Sequence, residues 1–272
     1  MPELPEVETI RKQLSHELLL ESNVISILEF EHAQKIIKLR EFDLRNQVLS
    51  KIKRHGKKLL FITKEKHILC SHLGMSGSWR IWSSLPEIFP KHTHLVIKLE
   101  NGKSFGYVDP RRFGRILFID KNSVPKFKKQ WGFDILSKHF TLDLLKERII
   151  QYPNKYIKVT LLDQKLFPGI GNYMASEICA RAKILPMRLC KDIKKSEMPL
   201  IYQGINDVIS SSVDLGGNTF QGGYTDTSGE KGQGVKSLLV FYQKICNLCK
   251  KTKVIKIMLG QRGTYYCPKC QN

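Results

Sequence analysis

The sequence lacks long hydrophobic runs and is short of acidic residues. No apolar stretch among its 272 residues approaches the roughly 18 residues that a membrane-spanning helix needs. The opening MPELPEVETI is acidic and has no apolar core of the kind that a secretion signal contains. We therefore expect a cytoplasmic protein that has no membrane partner.

The shortage of acidic side chains indicates a polyanionic partner. The chain has 45 Lys and Arg against 25 Asp and Glu, a formal charge of +20, and such an excess is typical of nucleic-acid binding. An anionic membrane surface is the alternative, but it would require a basic amphipathic helix, and these basic residues are spread over strand-like and loop-like segments. From Lys231 onward the sequence has no Asp or Glu. The densest basic cluster elsewhere consists of Lys51, Lys53, Arg54, Lys57 and Lys58.

Short apolar runs dominate the first 120 residues. Apolar residues at spacings of four predict a helix over Thr9–Leu20. The runs that follow are short or alternating and are separated by turn residues, which predicts strands. They cover Val24–Phe30, Ile36–Leu39, Leu44–Leu49, Leu59–Thr63, Ile68–Ser71, Leu95–Leu99, Phe105–Val108 and Ile116–Ile119. This part therefore predicts a helix with a mostly antiparallel sheet or sandwich.

The pattern becomes helical in the second half of the chain. The composition of Lys121–Ser137 predicts a connector between domains. Thr141 is the predicted N-cap of the next helix. Further helices are predicted over Val159–Leu166, Asn172–Ala182 and Met198–Leu215. From Gly216 to Gly234 the sequence is rich in glycine and poor in large apolar residues. We expect a mobile loop there, and loops of that length are commonly functional.

Four cysteines near the end of the chain have the spacing of a metal site. They form two Cys-x-x-Cys pairs, and their spacing is that of a four-thiolate zinc ribbon. The ligands predicted for one structural zinc ion are Cys246, Cys249, Cys267 and Cys270. Two disulfides are the alternative, which the absence of a secretion signal disfavours. Cys70, Cys179 and Cys190 have no partner spacing and are expected to be buried or incidental.

The first residues permit two interpretations. Three carboxylates and two prolines precede a helix, and such acids favour the positive end of the helix dipole, so the segment is interpretable as a simple cap. Alternatively, removal of Met1 leaves Pro2 as a secondary α-amine, and the pKa of an α-amino group, about 7.7–8.0, leaves much of it uncharged at neutral pH. Such an amine could attack a sugar C1′, with Glu3 as the neighbouring general acid and base.

Five motifs together resemble a known family, and they span essentially the whole chain in the family's order. They are MPELPEVET, His72-Leu73-Gly74-Met75-Ser76-Gly77, Asp109-Pro110-Arg111-Arg112-Phe113-Gly114, Gly169-Ile170-Gly171-Asn172 and the terminal cysteine finger. The chain resembles formamidopyrimidine-DNA glycosylase. Leu4 favours this branch over the related endonuclease VIII branch, whose opening usually has Gly at that position.

The resemblance implies an activity and a fold. It implies removal of 8-oxoguanine and ring-opened purines from duplex DNA, followed by β- and δ-elimination at the abasic sugar, by a bacterial monomer. The implied fold is α+β, with an N-terminal antiparallel β-sandwich and a helical domain that carries a helix-two-turn-helix motif and a β-hairpin zinc finger. DNA would lie in the cleft between them. The predicted regions are a catalytic domain over 1–124, a linker over 125–140, a DNA-binding domain over 141–236 and a finger over 237–272.

The resemblance also implies roles for residues of the first half. Pro2 would be the Schiff-base nucleophile, Glu3 the proton donor and acceptor, and Glu6 a supporting carboxylate. Lys57 would grip the phosphates beside the lesion. Extruding a nucleotide leaves a hole in the base stack, which proteins fill with apolar and cationic side chains. The three residues implied to fill it are Met75, Arg111 and Phe113, with Arg111 facing the orphaned cytosine.

In the second half, Asn172 and Arg262 would bind phosphates, and the loop 217–234 would close over the extruded base. Two departures from the family's pattern concern Tyr173-Met174, where Ile-Tyr is common, and the loop 217–234, which matches poorly. Two rival functions remain at this point. One is a glycosylase for oxidised pyrimidines that resembles endonuclease VIII, and the other is a non-catalytic DNA-binding protein, which the presence of the active-site residues disfavours.

Overall fold

The computed structural model describes residues 1–18, 21–131, 133–220 and 223–272. The chain forms two compact units, one of Met1–Gln130 with Leu215–Gln233 and one of Trp131–Asp214 with Gly234–Asn272. The segment 215–233 therefore packs with the N-terminal unit, although it follows the helices of the second unit in sequence. In the described ranges, every helix is too short or too polar to cross a bilayer.

A nine-stranded sheet forms the body of the first unit. Its strands are β1 (Ser22–Glu29), β2 (Ile37–Arg40), β3 (Val48–His55), β4 (Lys58–Thr63), β5 (Ile68–His72), β6 (Ser78–Trp82), β7 (Thr93–Leu99), β8 (Ser104–Val108) and β9 (Arg115–Ile119). Their order is β2-β9-β5-β4-β3-β1-β7-β8-β6. Neighbouring strands are antiparallel except for β2 and β9, which are parallel.

The sheet folds over at β1, which both halves share. The first two residues of β1 pair with β3, and the rest of the strand pairs with β7. Side chains of the two halves then meet face to face: the ring of Phe61 in β4 lies 4.9 Å from Trp79 in β6 and 5.5 Å from Phe105 in β8. Such packing of two inner faces is that of a sandwich, which confirms the predicted β-sandwich.

Three helices accompany the sandwich: α1 (Leu4–Glu17), α2 (Ala33–Ile36) and α3 (Val124–Lys129). The helix predicted over Thr9–Leu20 starts five residues earlier than expected, and its predicted end lies outside the described residues. A proline in the first turn of α1 presets the backbone, and Glu3 and Glu6 form a capping box. Val7, Ile10 and Leu14 bury the inner face of α1 in the core.

One other prediction for this unit was wrong, and one strand was missed. The strand predicted over Leu44–Leu49 lies further along as β3, because alternating basic residues on the exposed side of β3 disguise it. Strand β6 is short and partly polar, so the sequence there has no apolar run long enough to predict a strand. The predicted connector contains the short helix α3. Gly132, also within that connector, lies outside the described residues. The other predicted strands are confirmed to within two residues.

The second unit contains α4 (Leu142–Ile150), α5 (Ile157–Leu161), α6 (Asn172–Arg181) and α7 (Met198–Asp214), followed by the hairpin of β10 (Ile255–Leu259) and β11 (Arg262–Tyr266). Short 3-10 turns occupy 190–192, 195–197 and 234–237. The predicted cap of α4 is confirmed, since the Thr141 hydroxyl accepts the Leu144 N–H at 3.2 Å. Helix α5 is shorter than the predicted Val159–Leu166, since the chain turns after Leu161.

Candidate functional site

Two buried carboxylates lie at the start of α1. Glu3 occupies the N-cap position, and Glu6 Oε2 accepts the backbone N–H of Glu3 at 2.8 Å. Pro2, Glu3 and Glu6 are all buried. The carboxylates therefore lie at the positive end of the helix dipole, as the cap interpretation requires. The same arrangement holds Glu3 directly beside Pro2, as the catalytic interpretation requires.

The turn that carries Lys57 is fixed to α1 through a partly buried ion pair. Arg54 donates from Nε to Glu8 Oε2 and from Nη1 to the carbonyl of Gly56, both at 3.0 Å. Arg11 reaches the same Glu8 carboxylate from within α1. The Lys57 turn, between β3 and β4, thus has a defined position relative to α1.

A cavity of about 380 Å³ in the first unit brings several candidate residues together. Met1, His72, Met75 and Phe113 all line it. His72 Nδ1 accepts the N–H of Gly74 at 3.1 Å, which places the proton of a neutral ring on Nε2. Burial, followed by the charges of Lys58 and Lys57, lowers the pKa of His72 to about 4, so the ring is neutral at pH 7. From the sequence, His72 was expected to be a structural or phosphate-adjacent residue.

The three residues expected to fill a gap in the DNA stack lie on exposed turns. Met75 is 39% exposed and Phe113 is 53% exposed, so both apolar side chains are accessible from solvent. The guanidinium of Arg111 lies over the ring of Phe113, 4.8 Å from its centroid. The structure therefore brings Arg111 to Phe113, and it brings Met75 and Phe113 to the same cavity.

Asp109 organises both of these turns, a role that sequence analysis missed. Its buried Oδ1 accepts the hydroxyl of Ser76 at 2.6 Å and the N–H of Arg111 at 3.2 Å. Its Oδ2 accepts the N–H of Gly114 at 2.8 Å. One carboxylate thus ties the turn of Met75 to the turn of Arg111 and Phe113. The adjacency of Asp109 to Pro110 gave only a generic turn signal.

Tyr107 packs beneath the same two turns. Its hydroxyl donates to the carbonyl of Leu73 at 3.2 Å, and burial raises its pKa well above the usual value. A Cβ atom added at Gly77 or at Gly114 would overlap this hydroxyl. Gly114 is therefore required by the space that the tyrosine occupies, and Gly77 by that space together with the backbone carbonyl oxygen of Leu73, since no other residue lacks a Cβ.

We expect Gly114→Ala to destabilise the chain by about 1–3 kcal/mol, the usual cost of overpacking a closed site. The shift in the midpoint of chemical denaturation measures this loss of stability. Tyr107→Phe removes the overlapped hydroxyl, so the double variant should lose less stability than the two single losses added together. Strict additivity of the two changes would contradict the contact.

In the second unit, the side chain of Asn172 links the start of α6 to the β10–β11 hairpin. Its Oδ1 accepts from the buried ammonium of Lys158 at 2.7 Å, and its Nδ2 donates to the carbonyl of Gly263 at 2.9 Å. Lys158 also donates to Thr264 at 2.8 Å. Arg262, the first residue of β11, is exposed. This network joins the two elements that carry the predicted phosphate-binding residues.

The four cysteines of the two Cys-x-x-Cys pairs meet in one cluster, with all their sulfur atoms within 4.8 Å of one another. Sγ of Cys246 lies 4.0 Å from that of Cys270, and Sγ of Cys249 lies 3.9 Å from that of Cys267. A disulfide bond is about 2.05 Å long, so the disulfide alternative is wrong. Four sulfurs at tetrahedral positions about 2.3 Å from a zinc ion would be a little under 4 Å apart, and the cluster fits that ion.

A buried carboxylate in α6 supports the segment that leads to this cluster. Glu177 accepts the backbone N–H groups of Leu239, Val240 and Phe241 at 2.7–2.9 Å. Burial raises its pKa, although these three hydrogen bonds oppose the shift. No sequence signal distinguished Glu177, since its partners lie more than 60 residues away.

Fold and site define an α+β protein with buried carboxylates at the start of its first helix and a four-cysteine cluster of the zinc-finger type. The sequence pattern of the formamidopyrimidine-DNA glycosylase N-terminal domain matches residues 1–116, and that of the H2TH domain of the same enzyme matches residues 131–222. These two matches cover most of the chain.

Individual proteins agree along their full lengths. The formamidopyrimidine-DNA glycosylase of Cytobacillus firmus is 34% identical and that of Enterococcus faecalis 35%, with all of this chain and at least 97% of each relative covered. A Lactococcus lactis Fpg structure in complex with DNA containing N7-benzyl-Fapy-dG is 31% identical, with a TM-score of 0.86 and full coverage of both chains. The MutM (Fpg) structure from Thermus thermophilus has a TM-score of 0.85 at 29% identity, with 99% of this chain and 98% of that chain covered.

The chain belongs to the formamidopyrimidine-DNA glycosylase family. At its departure from the family's pattern, Tyr173-Met174, both side chains are buried, and the ring of Tyr173 lies 6.2 Å from that of Phe241.

Proposed function

We infer that the chain is a DNA glycosylase of base-excision repair that removes 8-oxoguanine and formamidopyrimidines from duplex DNA and then cleaves the abasic strand. Family membership supports the reaction class. The observation that carries the proposal for this chain is the cavity that the chain start shares with His72, Met75 and Phe113. A nucleotide extruded from a duplex needs a pocket beside the nucleophile, and the duplex it leaves needs side chains to fill the gap.

In the proposed reaction, removal of Met1 frees the secondary amine of Pro2. The nitrogen attacks C1′ of the damaged nucleotide and passes its own proton to the Glu3 carboxylate, while the glycosidic bond breaks and the base leaves with a proton taken from solvent. Glu3 protonates the sugar ring oxygen as the ring opens, which gives an iminium at C1′. Loss of the C2′ proton then expels the 3′ phosphate, and the corresponding δ-elimination expels the 5′ phosphate. Glu6 keeps Glu3 in place through its hydrogen bond to the Glu3 backbone.

We propose that positive charge and the exposed turns bind the duplex. Lys57, Asn172 and Arg262 would bind phosphates, and such contacts position the protein without reading sequence. Met75, Arg111 and Phe113 would fill the vacated stack, with the Arg111 fork donating to the orphaned base. The protein would act on the DNA of a bacterial cytoplasm as a monomer.

We further propose that one Zn²⁺ occupies the four-cysteine cluster. Four thiolates leave no open coordination position, so its role would be structural. The ion would hold the β10–β11 hairpin and thereby Arg262. No step of the reaction involves it.

Borohydride trapping tests the nucleophile, because reduction of the iminium links protein covalently to DNA. The wild-type chain should form an adduct on duplex DNA that contains 8-oxoguanine opposite cytosine. Pro2→Gly and a form that retains Met1 should trap far less, whereas Pro86→Gly in a surface loop of the same unit should trap normally. Equal trapping by the Met1-retaining form would contradict the proposed nucleophile. A duplex with thymine glycol serves as the second substrate, and preference for it would indicate an enzyme for oxidised pyrimidines.

A further inference from the structure

The segment 215–233 is attached to α1 at two places, and the first of them involves the candidate active site. The backbone N–H of Asn218 donates to Glu6 Oε1 at 2.7 Å, and the Asn218 side-chain amide donates to the same oxygen at 3.3 Å. Glu6 Oε2 accepts the N–H of Glu3. A single buried carboxylate thus connects this segment to the residue proposed to move protons.

The second attachment lies seven residues further along α1, at Gln13. Its Nε2 donates to Asp226 Oδ2 at 2.8 Å, while its Oε1 accepts the N–H of Thr227 at 3.1 Å and the Thr227 hydroxyl at 3.0 Å. Residues seven apart lie on the same face of a helix, two turns from each other. The described parts of the segment therefore contact one face of α1 at two points, Glu6 and Gln13.

Arg80 of β6 holds the same part of the segment from the other side. Its Nη2 donates to the Thr225 hydroxyl at 2.9 Å, and its Nη1 donates to the carbonyl of Asp226. Next to it, the N–H of Ile81 donates to the carbonyl of Thr227 at 3.3 Å. We call residues 225–230 the anchor turn.

The anchor turn is also closed internally. Asp226 Oδ1 accepts the N–H groups of Ser228 at 3.0 Å and Glu230 at 2.8 Å. Its other oxygen is the acceptor for Gln13. Asp226 therefore shapes the turn with one oxygen and docks it on α1 with the other.

We propose that Gln13 and Arg80 are positioning residues that dock the anchor turn on α1 and β6, and thereby keep residues 217–219 on Glu6. The proposal rests on the proposed function, and it takes from the family resemblance the role of the loop 217–234, which is to close over the extruded base. A contact to the base matters only while the base is attached to the sugar. Docking is therefore required for excision of the damaged base and dispensable for cleavage at an abasic site that already exists.

Charge substitution at the Gln13–Asp226 contact tests this directly. Gln13→Glu places a carboxylate against Asp226, so the anchor turn should be released. We expect the single-turnover rate of 8-oxoguanine excision to fall about tenfold, a loss of about 1.4 kcal/mol of transition-state stabilisation. Cleavage of a duplex with a preformed abasic site should stay near the wild-type rate. Adding Asp226→Asn restores a donor opposite the new carboxylate, and the double variant should recover most of the excision rate.

Gln203→Glu is the matched control, because Gln203 donates to Asp207 at 2.7 Å on the exposed face of α7. It creates the same pair of carboxylates in the other unit and should change neither rate. If Gln13→Glu lowers both reactions equally, or neither, or if Asp226→Asn fails to rescue it, the docking role is wrong. A wild-type chain that neither excises 8-oxoguanine nor cleaves abasic DNA would instead refute the proposed function, and the docking role with it.

Discussion

Glu3→Gln is expected to lower the rate of 8-oxoguanine excision by about 10²–10⁴-fold, the usual contribution of a positioned general acid or base. Glutamine has the same shape and retains an acceptor oxygen for the capping box that Glu3 forms with Glu6. It cannot donate or take up the proton that a carboxyl exchanges. The helix start should therefore survive while proton transfer is lost. Single-turnover kinetics on an 8-oxoguanine duplex measure the effect.

Two controls separate chemistry from folding in this experiment. The thermal midpoint of Glu3→Gln should match that of the wild type, because the cap is preserved. Glu31→Gln, on a side chain that is 89% exposed in the same unit, should excise at the wild-type rate. Excision by Glu3→Gln within about threefold of the wild type would contradict a proton-transfer role, since such roles contribute at least about a hundredfold.

Cys267→Ala is expected to weaken binding of duplex DNA by at least about a hundredfold, or about 2.7 kcal/mol. Structural zinc contributes about 10–16 kcal/mol in finger peptides, which is comparable with the whole stability of a domain. Losing one ligand should therefore unfold the β10–β11 hairpin. That unfolding displaces Arg262 from its position in β11 and breaks the hydrogen bond from the buried ammonium of Lys158 to Thr264. Fluorescence anisotropy with a labelled duplex measures the affinity.

The matched control for the finger is Cys190→Ala. Cys190 is also buried in the second unit, where its sulfur lies 3.2 Å from the Thr160 hydroxyl, and it is not part of the cluster. Its replacement should leave both zinc content and DNA affinity close to the wild type. Elemental analysis should find one zinc per chain in the control and less in Cys267→Ala. Undiminished DNA binding by a zinc-free chain would contradict the structural role of the ion.

Features that depend on neighbours in sequence could be predicted from the sequence. The spacing of the Cys-x-x-Cys pairs predicted the four-sulfur cluster because each pair forms a local turn. Thr141 predicted the start of α4 because capping involves residues three positions apart. Short apolar runs predicted a mostly antiparallel sheet or sandwich, whereas β3 was misplaced because its exposed basic residues interrupt the apolar pattern.

Features that depend on distant partners could not be predicted in this way. The contacts of Glu6 with Asn218 and of Gln13 with Asp226 join residues more than 200 positions apart. Asp109 and Tyr107 looked like ordinary strand and turn residues until the turns they organise were adjacent in space. The pattern of a single chain indicates which residues lie inside, but it does not identify which buried polar groups meet.

The packing around Tyr107 has a consequence for how this family can diversify. The tyrosine hydroxyl fills the space that a side chain at Gly114 would need, so substitutions at these two positions depend on each other. A lineage that gained a side chain at position 114 would first have to lose the phenol, and it would then lose the hydrogen bond to Leu73. Changes at these two positions should accordingly appear together across related genes, or be absent together.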